Sequence, residues 1–248
     1  MPPKKRELSE SIPISQQVQV ALAWLEKNSA QRDRDNLKRF AISTEKVFGV
    51  SMARMRVLGK QLGRNHELAE GLWQAGWYEA RMLAAMIDEP AKVTPAQMDR
   101  WAKDFDNWAI CDTACFHLFD RTPHAWNKIR SWSKRKPEFE KRAAFALLAS
   151  VALHDKKAED EPFVECLPLI EHAATDGRNF VKKAVVWALR GIAGRNPMLN
   201  SVAREAAQRL VDSTDSTSRW IGKTTLSELN SPASLRRLEV QRRKAGGK

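Results

Sequence analysis

The sequence predicts an all-α fold, a curved stack of antiparallel helix pairs wound into an α-α superhelix. Three observations carry that expectation. Glycine is scarce, at 11 of 248 residues, and few runs alternate apolar with polar side chains. Helix-period patterns dominate instead. One helix type also recurs, with a charged or polar start, small residues inside, and large apolar residues at three- and four-residue spacing.

The recurring helix appears as EARMLAAMI from Glu79, as WAICDTACFHLF from Trp108 and as KRAAFALLASVA from Lys141. It returns as KKAVVWALRGIA from Lys182 and, more weakly, as RWIGKTTLSEL from Arg219. Comparable positions at Glu79, Ala109, Arg142, Lys183 and Arg219 lie 30, 33, 41 and 36 residues apart. Arrays of helix pairs repeat about every 33 to 47 residues, so this is a degenerate array. Short side chains suit the inner helices of such a stack, where neighbours approach closely.

The partner helices lie between. Gln97–Phe105 precedes the Trp108 helix, and Pro123–Ser131 with Phe139 precedes the Lys141 helix. Glu161–Ala174 and Leu199–Val211 precede the last two. Breaks are expected at Asp88–Thr94, Lys134–Pro137, His154–Pro162, Thr175–Asn179 and Asn196–Pro197, where proline, glycine, asparagine and charge cluster. Residues 15–237 then form one domain. Residues 1–14 and 238–248 are charged and poor in anchoring apolar residues, and are expected to be disordered tails.

Forty-two Lys and Arg against thirty Asp and Glu leave a net charge of +12, which points to a polyanionic partner. The concave side of a helical superhelix is an extended binding surface, here expected to be basic. Basic clusters mark both ends, Lys4-Lys5-Arg6 and the stretch with Arg236, Arg237, Arg242, Arg243 and Lys244. No apolar run approaches the ~18 residues that span a bilayer, and no secretory signal follows MPPKKRELSESIP; a soluble intracellular protein is expected. Cys111, Cys115 and Cys166 are too few for a disulfide framework and lack the CxxC or HxxxH partners of a zinc site; they read as packing residues. Phosphate loops, dinucleotide-binding glycines and the common hydrolase motifs are absent.

Six of the nine tryptophans, Trp24, Trp73, Trp77, Trp101, Trp126 and Trp132, sit at helical spacing among apolar neighbours and read as core or half-core. Two segments differ. In FDNWAICD, Trp108 and Asp112 are i and i+4, so an indole and a carboxylate share one helix face. In NFVKKAVVWALRGIAGRN, Trp187 lies among Lys182, Lys183, Arg190 and Arg195.

These two segments resemble the DNA alkylation repair family, the AlkD-like glycosylases built from HEAT-like repeats. FGVSMARMRVLGKQL (Phe48–Leu62) and HELAEGLWQAGWYEARMLA (His66–Ala84) are similar to the family's early repeats, and the resemblance extends over residues 45–235. It implies a HEAT-like solenoid acting, without metal or other cofactor, as a monofunctional DNA glycosylase on double-stranded DNA with cationic alkylated purines. It further implies that Trp108, Trp187 and Asp112 meet the lesion and that Arg142 holds the DNA backbone. Lys182, Lys183, Arg190 and Arg195 are then expected to contact phosphates. Ala109 departs from members with an acidic residue after this tryptophan. The protein is expected to be monomeric, cytoplasmic and nucleoid-associated. A HEAT-like scaffold that binds DNA or RNA without catalysis is the alternative; an adaptor for other proteins fits the excess positive charge less well.

Overall fold

Two of the expected breaks, at Thr94 and Asn196, carry side-chain helix caps, and three further caps lie outside the expected breaks. Asn65, Thr94, Asn107, Asn196 and Asp215 each accept a backbone N–H of the following first turn through their side chains, and Pro95 and Pro197 open two of those helices. The structure is a computed structural model that describes residues 12–42 and 45–246. Among these residues there are fifteen α-helices and no strand. Lys4, Lys5, Arg6 and the rest of 1–11, and residues 247–248, lie outside the described residues.

The chain divides into two compact units, Met1–Thr122 and Pro123–Lys248. The first unit ends in a 3-10 turn, Phe119–Arg121, closed by the Thr122 hydroxyl on the Phe119 carbonyl. Pro123 follows it.

The first unit contains α1 (Ile14–Lys27), α2 (Gln31–Arg39), α3 (Met52–Leu62), α4 (His66–Gln74), α5 (Tyr78–Ile87), α6 (Pro95–Lys103) and α7 (Trp108–His117). Here α5 is central, packing on α3, α4 and α7. Leu58, Leu68, Leu72, Met82 and Leu83 fill its core, as the three- and four-residue spacing requires. Trp73 and Trp101 stack at 3.9 Å, and their indole N–H groups donate to Asp104 and Glu70. By contrast, α2 buries no residue.

The second unit contains α8 (Ala125–Trp132), α9 (Glu138–His154), α10 (Glu161–Glu165), α11 (Leu167–Ala173), α12 (Asn179–Ala193), α13 (Pro197–Val211), α14 (Ser216–Leu229) and α15 (Pro232–Gly246). Contacts between α9 and α12 rise together along both helices, from Phe139 on Phe180 to Ala149 beside Gly191, so the two run parallel. The same holds for α12 and α14, from Lys182 over Trp220 to Arg190 paired with Glu228. These are the inner helices of successive repeats. Every residue from Arg142 to Ala152 in α9 is buried, and a Cβ on Gly191 would lie 3.2 Å from the Ala149 Cα. The alanine-rich pattern therefore marks close helix approach, as expected.

Residues 238–246, expected as a disordered tail, belong to α15. Leu238 is buried, and Gln241 Nε2 donates to the carbonyls of Gly194 and Arg195 at 2.9 and 3.2 Å. These anchors cross more than forty residues of sequence and leave no local pattern.

Candidate functional site

In the first unit the site grows from one cap. The buried Asn107 side chain accepts from the Ala109 and Ile110 N–H groups at 3.0 and 3.1 Å, which makes Trp108 the first helical residue. Cys111, Thr113, Ala114 and Cys115 turn inward, leaving Trp108, Asp112 and Phe116 as a half-buried stripe. The Trp108 Nε1–H donates to the Phe40 carbonyl at 2.9 Å, holding the indole edge. Cys111 and Cys115 are buried thiols that form no disulfide, and burial pushes the Cys115 thiol well above its ordinary pKa.

Trp108 and Asp112 line a recess of about 360 Å³ whose other walls come from α2, the segment before α3, and α5. Asp33 and Asn36 of α2, Met52 and Met55 of α3, and Tyr78 and Met82 of α5 face it. The lining contains two carboxyl groups, Asp33 and Asp112, and no Lys or Arg. The Tyr78 phenol is pushed far above its ordinary pKa by burial, reinforced by Glu79 and Asp106. It stays protonated at neutral pH.

A buried carboxyl supports the recess wall. Glu79 is fully buried, and it accepts from the N–H groups of Phe48, Gly49 and Val50 at 3.0, 2.7 and 3.0 Å. That segment in turn holds α2: Arg34 Nε donates to the Phe48 carbonyl at 2.8 Å, and the Ala30 N–H to Gly49 at 2.8 Å. Gly49 has φ +87°, and a Cβ there would stand 2.7 Å from the Ala30 carbonyl, so glycine is required. The wall formed by α2 thus rests on hydrogen bonds rather than on burial.

In the second unit, Trp187 is half-buried on α12 and lines a smaller recess of about 200 Å³ with Ala149, Arg190 and Gly191, and with Arg237 and Gln241 of α15. Lys156 also lines it, and no acidic residue does among the described residues. Arg190 is exposed and pairs with Glu228 at 2.6 Å; Lys183 is exposed; Lys182 lies over the Trp220 ring.

Two arginines expected to contact DNA make hydrogen bonds inside the unit. Arg142 is only 6% exposed, and its Nη1 donates to the Phe180 carbonyl at 2.7 Å. Arg195 donates to the carbonyls of Ala152, Asp155 and Ala158 and covers the Phe163 ring at 4.1 Å, clamping the turn after α9. Sequence reasoning missed Asp33, Asn36 and Tyr78, and took Glu79 only as a repeat marker. Among the described residues no cluster of His, Cys, Asp and Glu could hold a metal ion, and no helix is long and apolar enough to cross a membrane.

The family profile described as DNA alkylation repair enzyme matches residues 21–219, both α7 and α12 included. The chain belongs to the DNA alkylation repair enzyme family. As a member of that family it also has a solved structural neighbour, described as "a new family of proteins related to the HEAT-like repeat DNA glycosylases with affinity for branched DNA structures". That structure matches at a TM-score of 0.69 and 21% identity, over 77% of this chain and 82% of its own. The likeness establishes the HEAT-like fold. Among curated proteins, none matches the sequence.

Proposed function

We propose that this member of the DNA alkylation repair enzyme family is a monofunctional glycosylase that releases cationic alkylpurines, of the 3-methyladenine or 7-methylguanine type, from duplex DNA. The observation that carries the reading is the recess around α7, which an indole face and two carboxyl groups line together. Such a lining attracts a cation and disfavours a bare phosphate.

The chemistry needs little more. An N3- or N7-alkylated purine already carries positive charge, so it leaves without protonation. The glycosidic C1′–N9 bond breaks with its electron pair going to the purine, which becomes neutral, while the sugar becomes oxocarbenium-like. The Asp112 carboxylate stabilises that charge, and water adds to C1′ and gives up its proton. The Trp108 indole offers its face, since its N–H already serves Phe40. In the second unit Trp187 offers a further indole to the DNA, and Lys182, Lys183 and Arg190 the phosphate contacts. The enzyme acts as a monomer in the cytoplasm, associated with the nucleoid.

The test is base release from duplex DNA carrying a defined 7-methylguanine or 3-methyladenine. Asp112→Asn is expected to slow release by roughly 10²- to 10³-fold, the usual loss for one electrostatic stabiliser. Its salt-dependent affinity for duplex should persist. A second reading, a HEAT-like DNA-binding module without catalysis, is favoured by the description of the structural neighbour as having affinity for branched DNA. Salt-dependent binding with no base release by the unaltered protein would select it.

A further inference from the structure

All nine tryptophans fall among the described residues, and Trp220 alone is exposed, at 39%. It stands in the first turns of α14, in the weakest of the recurring helix patterns. Its neighbours on the solvent face of α14 are Ser216, Lys223 and Ser227, all exposed and none acidic. From the parallel α12, the Lys182 ammonium lies 4.6 Å from the ring centroid, and Lys183 beside it is exposed. Two acidic groups at this end of the unit are already engaged. Asp215 caps the Ser218 N–H at 2.7 Å, and Asp176 binds Arg178 and Lys141. The result is an indole with one ammonium over its ring and two further lysines exposed on the same two helices.

We propose that Trp220, Lys182, Lys183 and Lys223 form a platform for single-stranded DNA, with an unpaired base stacked on the indole and its flanking phosphates held by the lysines. The two halves of the patch point to one ligand. An exposed indole face gains from a free π-surface, which an unpaired base offers and a base inside a duplex does not. The surrounding ammonium groups match a phosphate on either side of that base. An apolar peptide would satisfy the ring but leave the lysines without a counterion, so charge complementarity favours the nucleic acid. One face of the ring already carries the Lys182 ammonium, and base stacking uses surface that remains open. This inference rests on the reading that the protein binds DNA, but not on base release.

The experiment compares the full chain's affinity for a blunt duplex with that for the same duplex extended by a single-stranded oligo-dT arm, at one fixed salt concentration. The unaltered protein is expected to prefer the arm-bearing DNA. Trp220→Ala should lose affinity for it by roughly five- to a hundredfold, as for one stacked base, and leave blunt-duplex affinity unchanged. Trp220→Phe, which keeps a stacking ring, should retain most of the preference. Thermal unfolding of each variant shows whether the loss belongs to binding. Equal affinity of the unaltered protein for the two DNAs overturns the platform, as does a preference that survives Trp220→Ala. Failure to bind either DNA instead removes the DNA-binding reading, and the platform with it.

Discussion

The recesses around Trp108 and Trp187 are built by opposite means. In the first unit the walls are tied by hydrogen bonds: buried Glu79 under residues 48–50, buried Asn107 under the start of α7, and, at the surface, the indole N–H of Trp108 on Phe40. In the second unit the tryptophan sits on a stack of alanine- and glycine-lined helices whose backbones nearly touch. The linings differ in sign as well, two carboxyl groups in one against Lys156, Arg190 and Arg237 in the other. A recess held by hydrogen bonds fails when one acceptor is lost, whereas a close-packed one fails when a single carbon is added.

The largest expected effect follows from that contrast in the first unit. Glu79→Ala leaves three buried backbone donors unpaired, at roughly 1–3 kcal/mol each, and should destabilise the protein by about 3 kcal/mol or more. Urea unfolding measures it. A loss no greater than that of an ordinary surface substitution would mean that water takes over the three N–H groups and that the wall does not depend on Glu79.

In the second unit the corresponding change is Gly222→Ala. A Cβ there would stand 2.5 Å from the Ala207 carbonyl and 2.7 Å from the Val211 nitrogen, both backbone atoms that cannot step aside alone. Forcing α13 and α14 apart should cost about 1–3 kcal/mol by the same measurement. Gly59 is the control, since a Cβ there makes only ordinary contacts, at 3.7 Å or more, on helical backbone.

The same contrast explains what could be read in the sequence. The close-packed unit was legible, because alanine runs, three- and four-residue spacing and capping residues are local signals. Helices α9 and α12 and the breaks between them fall where those signals put them. The i, i+4 relation of Trp108 and Asp112 was legible for the same reason. Tyr78 and Asp33 were not, because they reach the recess through tertiary contacts from helices thirty or more residues upstream, and α2 has no apolar periodicity to announce a packing face. Charge alone could not show what Arg142 and Arg195 bond to within the unit. A guanidinium that closes on backbone carbonyls reads in sequence just like one that awaits a phosphate. The helix α15 was missed because its anchors, Leu238 and Gln241, dock on groups far away in sequence.

The smallest effect concerns pH, and again the units differ in sign. In the first unit, burial raises the Asp88 carboxyl above its ordinary pKa, despite hydrogen bonds from His66 and Gln97. That group contributes stability when protonated and loses it as pH rises from the unfolded value through the folded one. In the second unit, Asp176 is held well below the carboxylate range, first by Arg178 and then by Lys141. Its contribution is complete above the unfolded pKa, about 3.9, and is lost as pH falls through the depressed folded value. A global melt mixes the two slopes, so amide hydrogen exchange should be read separately in α5 and in α9 and α12. Between about pH 4 and pH 2, protection in α9 and α12 should fall with acidification. Arg178→Met removes the main cause of the Asp176 shift and should flatten that fall, while leaving the α5 profile as it was. Equal slopes in the variant and the unaltered protein would show that Asp176 does not secure the turn between α11 and α12. The second unit would then hold by packing alone.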